Sequence, residues 1–117
     1  MHPYIIVPVL AFSIPQDLKQ VVYSTAISNG TEEDWNFLWQ RFLKASQDSE
    51  RNTILIALGK SKDQEILKSL LELSVNTTGQ LRIFESPVLF NAIVTQPAGY
   101  HIAKNFFMQR FMDFYKL

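Results

Sequence analysis

The chain has 117 residues, enough for one domain that buries about two thirds of the surface its unfolded form exposes. Apolar residues make up 47% and charged residues 19%, a balance that excludes wholesale disorder. With 11 basic and 11 acidic residues the formal charge is zero, so the sequence builds no basic face of the kind nucleic acid requires, and without cysteine it has neither disulfides nor thiolate metal ligands.

Residues 1–14 stand apart from the rest. The apolar run Tyr4–Ile14 is too short to cross a bilayer as a helix, and Pro8 interrupts it. Only His2 stands where a signal peptide carries lysine or arginine. Three readings stay open for this segment: a signal peptide, a strand-like or irregular stretch packed on helices, or the arbitrary start of a fragment. From Pro15 the spacing turns helical and stays so, which defines a second region, residues 15–117.

Leu18, Val21, Val22 and Ala26 follow the spacing of one buried helix face, and Asn29-Gly30 predicts its stop through a left-handed glycine. Thr31 with Asp34 forms a near capping box for the next helix. The buried face of that helix is predicted as Trp35, Leu38, Trp39, Phe42 and Leu43. A polar break at residues 45–48 precedes a helix bearing Arg51, Ile54, Leu55 and Leu58, stopped at Gly59.

Ser61 with Gln64 reads as the capping box of a fourth helix, which buries Ile66, Leu67, Leu70 and Leu71 and ends near Asn76–Gly79. Ser86-Pro87 is the expected cap of a short fifth helix with Leu89, Phe90 and Ile93. Pro97 and Gly99 mark a last break, before a helix carrying Ala103, Phe106, Phe107, Phe111 and Phe114.

No strand pattern follows residue 14. The expected fold is therefore all-α: about six helices in antiparallel pairs, an α–α superhelix fragment of the HEAT or armadillo kind. The interval between the caps Thr31 and Ser61 suggests the repeat. A compact helical bundle is the alternative.

The candidate chemistry is sparse. Asp17, Glu32, Glu33, Asp34, Asp48, Glu50, Asp63 and Glu65 all fall at predicted helix starts, where a negative charge meets the positive end of the helix dipole. His2 and His101 are the only histidines, and neither belongs to H-E-x-x-H, the spacing that sets two imidazoles on one zinc. No phosphate loop or dinucleotide fingerprint occurs. Trp35 and Trp39 at i and i+4 suit either a core stripe or a ligand-stacking face. The sequons Asn29-Gly30-Thr31 and Asn76-Thr77-Thr78 make Asn29 and Asn76 possible glycosylation sites, with a turn role favoured for Asn29. No catalytic, cofactor-binding or metal-ligating residue is assigned.

Several stretches carry a family resemblance in order and spacing. They are Asp17-Leu18 with Val22-Tyr23, residues 30–39 from Gly30 to Trp39, Ser49-Glu50-Arg51 with Ile54-Leu55, Ala57-Leu58-Gly59, and Ser61-Lys62-Asp63 with Ile66-Leu67. Gly99 to Phe106 continues the match weakly. Together they resemble the C-terminal helical domain of the aminopeptidase N family of zinc aminopeptidases, insect-type, as a fragment.

The resemblance implies a non-catalytic scaffold or substrate-enclosing module, since in such metallopeptidases the zinc site lies in an upstream catalytic domain and none of its residues map here. It implies zinc in the parent and no cofactor in this chain. The expected partners are the catalytic domain or neighbouring helical repeats, with peptides bound in the full protein. Extracellular or membrane association is implied likewise. Two alternatives remain: a segment of a complete aminopeptidase that removes N-terminal residues from peptides, and a free-standing helical interaction module.

The chain also departs from the family's pattern. Ser24 and Lys60 stand where many relatives carry a pair of cysteines, and Arg82-Ile83-Phe84-Glu85 replaces Arg-x-Gln-Asp. Zero net charge beside 15 aromatic residues predicts self-association of an isolated chain.

Overall fold

The computed structural model describes residues 15–75 and 79–114, and every regular element among them is helical. After a 3-10 turn over Gln16–Leu18 come α1 (Lys19–Asn29), α2 (Glu32–Lys44), α3 (Asp48–Leu58), α4 (Gln64–Val75), α5 (Glu85–Val94) and α6 (Pro97–Phe114). The expected all-α architecture of six helices is what these residues adopt. The segment 1–14, the sequon asparagine Asn76 and the side chain of Phe114 lie outside what is described. No helix among the described residues is long and apolar enough to cross a membrane.

The chain divides into two compact units, Met1–Ser61 and Lys62–Leu117. In the first, α3 is the shared helix: it packs on both α1 and α2, which meet each other only sparingly. Leu38 and Phe42 of α2 and Ile54, Leu55, Ala57 and Leu58 of α3 are fully enclosed. Burial of such side chains contributes about 1.5–3 kcal/mol each.

The buried face of α1 differs from the expected one. Tyr23 and Ile27 are enclosed, while Leu18 and Val21 are exposed. Helix α1 is turned so that Tyr23 and Ile27, an i, i+4 pair, are buried, while Val21 and Leu18 of the preceding 3-10 turn face outward; enclosing the tyrosine ring removes more apolar surface from water than enclosing Val21 would.

The turn between α1 and α2 follows the expected box in its stronger half. Asp34 Oδ2 accepts the Thr31 backbone N–H at 3.1 Å. Thr31 faces the Asp34 backbone in return, but too loosely for its hydroxyl to form a hydrogen bond. Gly30 is not left-handed: its φ is −95° and its ψ −169°. It is required for space, because a Cβ there would collide with the Ala26 carbonyl and the Asp34 carboxylate.

In the second unit α4, α5 and α6 pack on one another around Leu67, Leu70, Leu71, Leu89, Ala92, Ile93 and Ala103. The cap of α4 is Asp63 rather than Ser61. Asp63 Oδ1 accepts the backbone N–H groups of Glu65 at 2.9 Å and Ile66 at 3.2 Å, the geometry of an N-cap. Ser61 instead continues the end of α3, its N–H donating to the Leu58 carbonyl at 3.4 Å.

Helix α5 opens at Glu85, ahead of the expected Ser86-Pro87 cap. The buried Glu85 carboxylate accepts the Arg82 backbone N–H at 2.7 Å, and the Glu85 N–H donates to the Arg82 carbonyl at 2.9 Å. This clasp explains how Arg82-Ile83-Phe84-Glu85 serves the fold, since the acid at its fourth position ties the turn. Gly99 is helical and no break. A Cβ on it would fall onto the Ile93 carbonyl, so it lets α6 pass close to α5.

Candidate functional site

Most side chains singled out by sequence serve helix ends or contacts within one unit. Glu32, Glu33 and Asp34 open α2, Asp48 and Glu50 open α3, and Glu65 opens α4. Asp34 is buried, and this raises its carboxyl above the ordinary range; the hydrogen bond from Thr31 opposes the shift and neighbouring Glu33 adds to it. Burial also raises the Tyr23 phenol. The Arg41 guanidinium opposes that shift, although the Tyr23 hydroxyl makes no hydrogen bond of ordinary geometry. Arg41 Nε lies 3.7 Å from Glu50 Oε1, joining α2 to α3.

Arg51 is nearly enclosed, yet it makes no catalytic contact. Its Nη1 donates to the carbonyls of Phe42 at 3.2 Å and Ala45 at 3.3 Å, and its guanidinium lies 4.2 Å from the centre of the Phe42 ring. It therefore staples the C-terminal end of α2, where a cation suits the helix dipole.

The two tryptophans are half-buried. Trp35 and Trp39 stack at 5.7 Å, Trp39 and Phe42 at 5.4 Å, and the Trp35 indole N–H donates to the Leu58 carbonyl at 3.2 Å. They pack as a ladder along the edge of the core and tie α2 to the end of α3.

Ser24 and Lys60, which the resemblance sets against a pair of cysteines, each take part in a hydrogen bond. Gln20 Nε2 donates to Ser24 Oγ at 3.1 Å, and Ser28 Oγ donates to the Lys60 carbonyl at 3.3 Å. The Asn29 side-chain amide donates to the Thr25 carbonyl at 3.0 Å, one turn back in α1.

Among the described residues of the second unit, an open groove of about 1010 Å3 lies between α4 and α6. Gln64, Lys68 and Glu72 recur every fourth residue along α4, and His101, Asn105 and Gln109 do so along α6. Between these polar rows lie Ile102 and Phe106. Arg110 pairs with Glu72 across the groove, its guanidinium 4.7 Å from the centre of the Phe106 ring.

Amides, a lysine and an ion pair line the groove over an apolar seam. They lack the nucleophile, base and orienting group that bond cleavage needs in one place. His101 is exposed, edge-on to Tyr100 with ring centres 5.8 Å apart. Zinc does not fit the residues present: among the described residues no three His, Cys, Asp or Glu side chains converge as metal ligands, and the sequence has no H-E-x-x-H. The groove was not legible in the sequence. Its only trace there is the four-residue spacing of polar side chains, which solvated helix faces share.

Comparison with known proteins places this geometry. The model of the ERAP1-like C-terminal domain matches residues 9–117. Aminopeptidase Ey of Gallus gallus is 31% identical over 93 residues, 80% of this chain and 10% of that protein. The thyrotropin-releasing hormone-degrading ectoenzyme of Homo sapiens is 32% identical over 97 residues, covering 83% of this chain and 9% of its own length. Endoplasmic reticulum aminopeptidase 2 of Homo sapiens is 33% identical over 94 residues, 80% of this chain and 10% of that protein. The chain thus spans about a tenth of the length of these relatives. No solved structure gives a significant match. A match over nearly the whole sequence, six helices, and relatives that include aminopeptidase Ey and endoplasmic reticulum aminopeptidase 2 lead to one conclusion: the chain belongs to the ERAP1-like C-terminal domain family, the C-terminal domain of the aminopeptidase N family.

Proposed function

We propose that this chain is a non-catalytic portion of an aminopeptidase, a helical scaffold that packs beside a catalytic domain and helps to enclose peptides. The observation that carries this reading is the match of residues 9–117 to a C-terminal domain, with only a tenth of each relative's length represented. The structural roles of the acidic residues, Arg51 and the tryptophans support it. The groove between α4 and α6 supplies binding groups rather than reacting ones. On this reading the zinc and the reacting groups belong to another part of the parent protein.

Incubating the purified chain with amino-acid anilides, with and without added zinc, tests the proposal. The expected rate is that of a matched blank, and zinc-dependent turnover overturns it.

The same coverage favours a second reading, in which the chain is a segment of a complete aminopeptidase that removes N-terminal residues from peptides. Sequencing the transcript on the 5′ side of the Met1 codon decides it. An in-frame H-E-x-x-H establishes the enzyme, and a stop codon with no such motif removes it.

A further inference from the structure

Asn29 alone among the asparagines of the chain is followed by glycine. Asn36, Asn52, Asn91 and Asn105 stand inside α2, α3, α5 and α6, where the N–H of the next residue belongs to the helix ladder. Their followers Phe37, Thr53, Ala92 and Phe106 also set a side chain beside that nitrogen. Asn76 precedes Thr77 and lies outside the described residues.

The end of α1 differs from the other helix ends. After α2, α3 and α5 the next residue returns its N–H to the carbonyl four residues back: Ala45 to Arg41 at 3.0 Å, Gly59 to Leu55 at 3.1 Å and Thr95 to Asn91 at 3.2 Å. After α1, Gly30 swings into an extended conformation, with φ −95° and ψ −169°, and makes no such bond of ordinary geometry. Asn29 is exposed, and the bond from its Nδ2 to the Thr25 carbonyl is exposed with it. A solvent-exposed bond of this kind holds a side chain only weakly. The Asn29 carbonyl belongs to the last turn, whose carbonyls have no partner within the helix. Turning the peptide between Asn29 and Gly30 therefore breaks no hydrogen bond inside α1.

We propose that Asn29-Gly30 is a site of spontaneous deamidation in the folded chain. The Gly30 nitrogen gives its proton to hydroxide or a buffer base and attacks Cγ of the Asn29 side chain. The new N–Cγ bond closes a succinimide ring. The Cγ–Nδ2 bond breaks, and Nδ2 takes a proton from water and leaves as ammonia. Water then opens the ring at either of its carbonyls. Attack at Cγ gives aspartate, and attack at the main-chain carbonyl gives isoaspartate.

Both products bear on the fold. Aspartate puts a negative charge at the C-terminal end of α1, where the helix dipole is already negative. Isoaspartate sends the main chain through the former side chain and adds a methylene just before Gly30. That residue has little room to move, because a Cβ on it would collide with the Ala26 carbonyl and the Asp34 carboxylate. The turn between α1 and α2 loosens, and the first unit loses stability as the chain ages. This holds whether or not the parent protein hydrolyses peptides.

Ageing the whole 117-residue chain in mildly alkaline buffer tests the proposal, with samples taken over time for peptide mass mapping and isoaspartyl methyltransferase labelling. Asn29 is expected to convert at least about fivefold faster than Asn36, Asn52, Asn91 or Asn105, the factor that one helix hydrogen bond of ordinary net strength supplies. The rate rises in proportion to hydroxide. The aged chain unfolds at a lower urea concentration than the fresh one, read by the fluorescence of Trp35 and Trp39. Asn29→Gln, whose longer side chain closes a ring far more slowly, loses both the methyl label and the drift in stability. Circular dichroism confirms that this variant is helical.

An Asn29 that survives in the folded chain but converts once urea unfolds it overturns the proposal. So does conversion no faster than that of the asparagines inside helices, a methyl label that persists in Asn29→Gln, or an unfolding midpoint that stays constant while Asn29 converts.

Discussion

Replacing Arg51 by methionine removes the staple at the end of α2 while keeping most of the side-chain volume. Arg51 gives two hydrogen bonds, to Phe42 and Ala45, and a stacking contact with the Phe42 ring. The Phe42 carbonyl also accepts the Ala45 N–H at 3.2 Å, so the variant deprives chiefly the Ala45 carbonyl. A half-buried carbonyl left without its donor costs about 1–2 kcal/mol, toward the low end for such groups, and loss of the cation from the ring about 1 kcal/mol more. Release from desolvating a guanidinium offsets part of this, and methionine keeps a favourable sulfur contact with the ring. The net expectation is a loss of about 1–2 kcal/mol, a drop in melting temperature on the order of 5–10 °C. The measurement is convenient because both tryptophans, Trp35 and Trp39, sit on α2 in the same unit. Urea unfolding followed by their fluorescence reports the affected unit, and Arg51→Lys should recover only part of the loss because lysine lacks the planar fork. A methionine variant within about 0.5 kcal/mol of the native chain refutes the staple.

Two further substitutions test other parts of the fold. Gly99→Ala should cost about 3 kcal/mol by forcing α6 away from the Ile93 carbonyl, read by circular dichroism because the second unit has no tryptophan; an unchanged midpoint would show that the close approach is not required. Asp34→Asn should flatten the pH dependence of the first unit. Burial raises the Asp34 carboxyl when folded, so its contribution is fully present below the unfolded value near 3.8 and is lost as pH rises through the folded one. The native chain should therefore gain stability relative to Asp34→Asn on acidification from pH 7 toward 4, and a parallel loss in both would contradict this.

Local rules carried the sequence reading as far as helix count and most helix faces. The Thr31–Asp34 turn and the enclosed leucines of α3 and α4 follow from spacing within one helix. The misses share a physical cause. Leu18 and Val21 fit a helical stripe as well as Tyr23 and Ile27 do, and only the position of α3 chooses between them. Ser61 and Asp63 both precede α4 with capping chemistry, and the path of the chain leaving α3 settles which one caps it. Gly99 resembles a helix stop until the Ile93 carbonyl is placed beside it. The groove needed the same information, because its two walls come from residues 64–72 and 98–110 and meet only on folding.

The central claim is that the side chains with catalytic potential are occupied in holding helices together. The most direct test is initial-rate hydrolysis of fluorogenic aminoacyl substrates by the folded chain, with zinc titrated from chelator excess to metal excess. Enzymes commonly turn over at about 1–1000 per second, so even a thousandth of the lower figure is visible at micromolar protein. The account predicts a rate equal to that of heat-denatured chain at every zinc concentration. A zinc-saturable rate that co-purifies with the folded chain would contradict it.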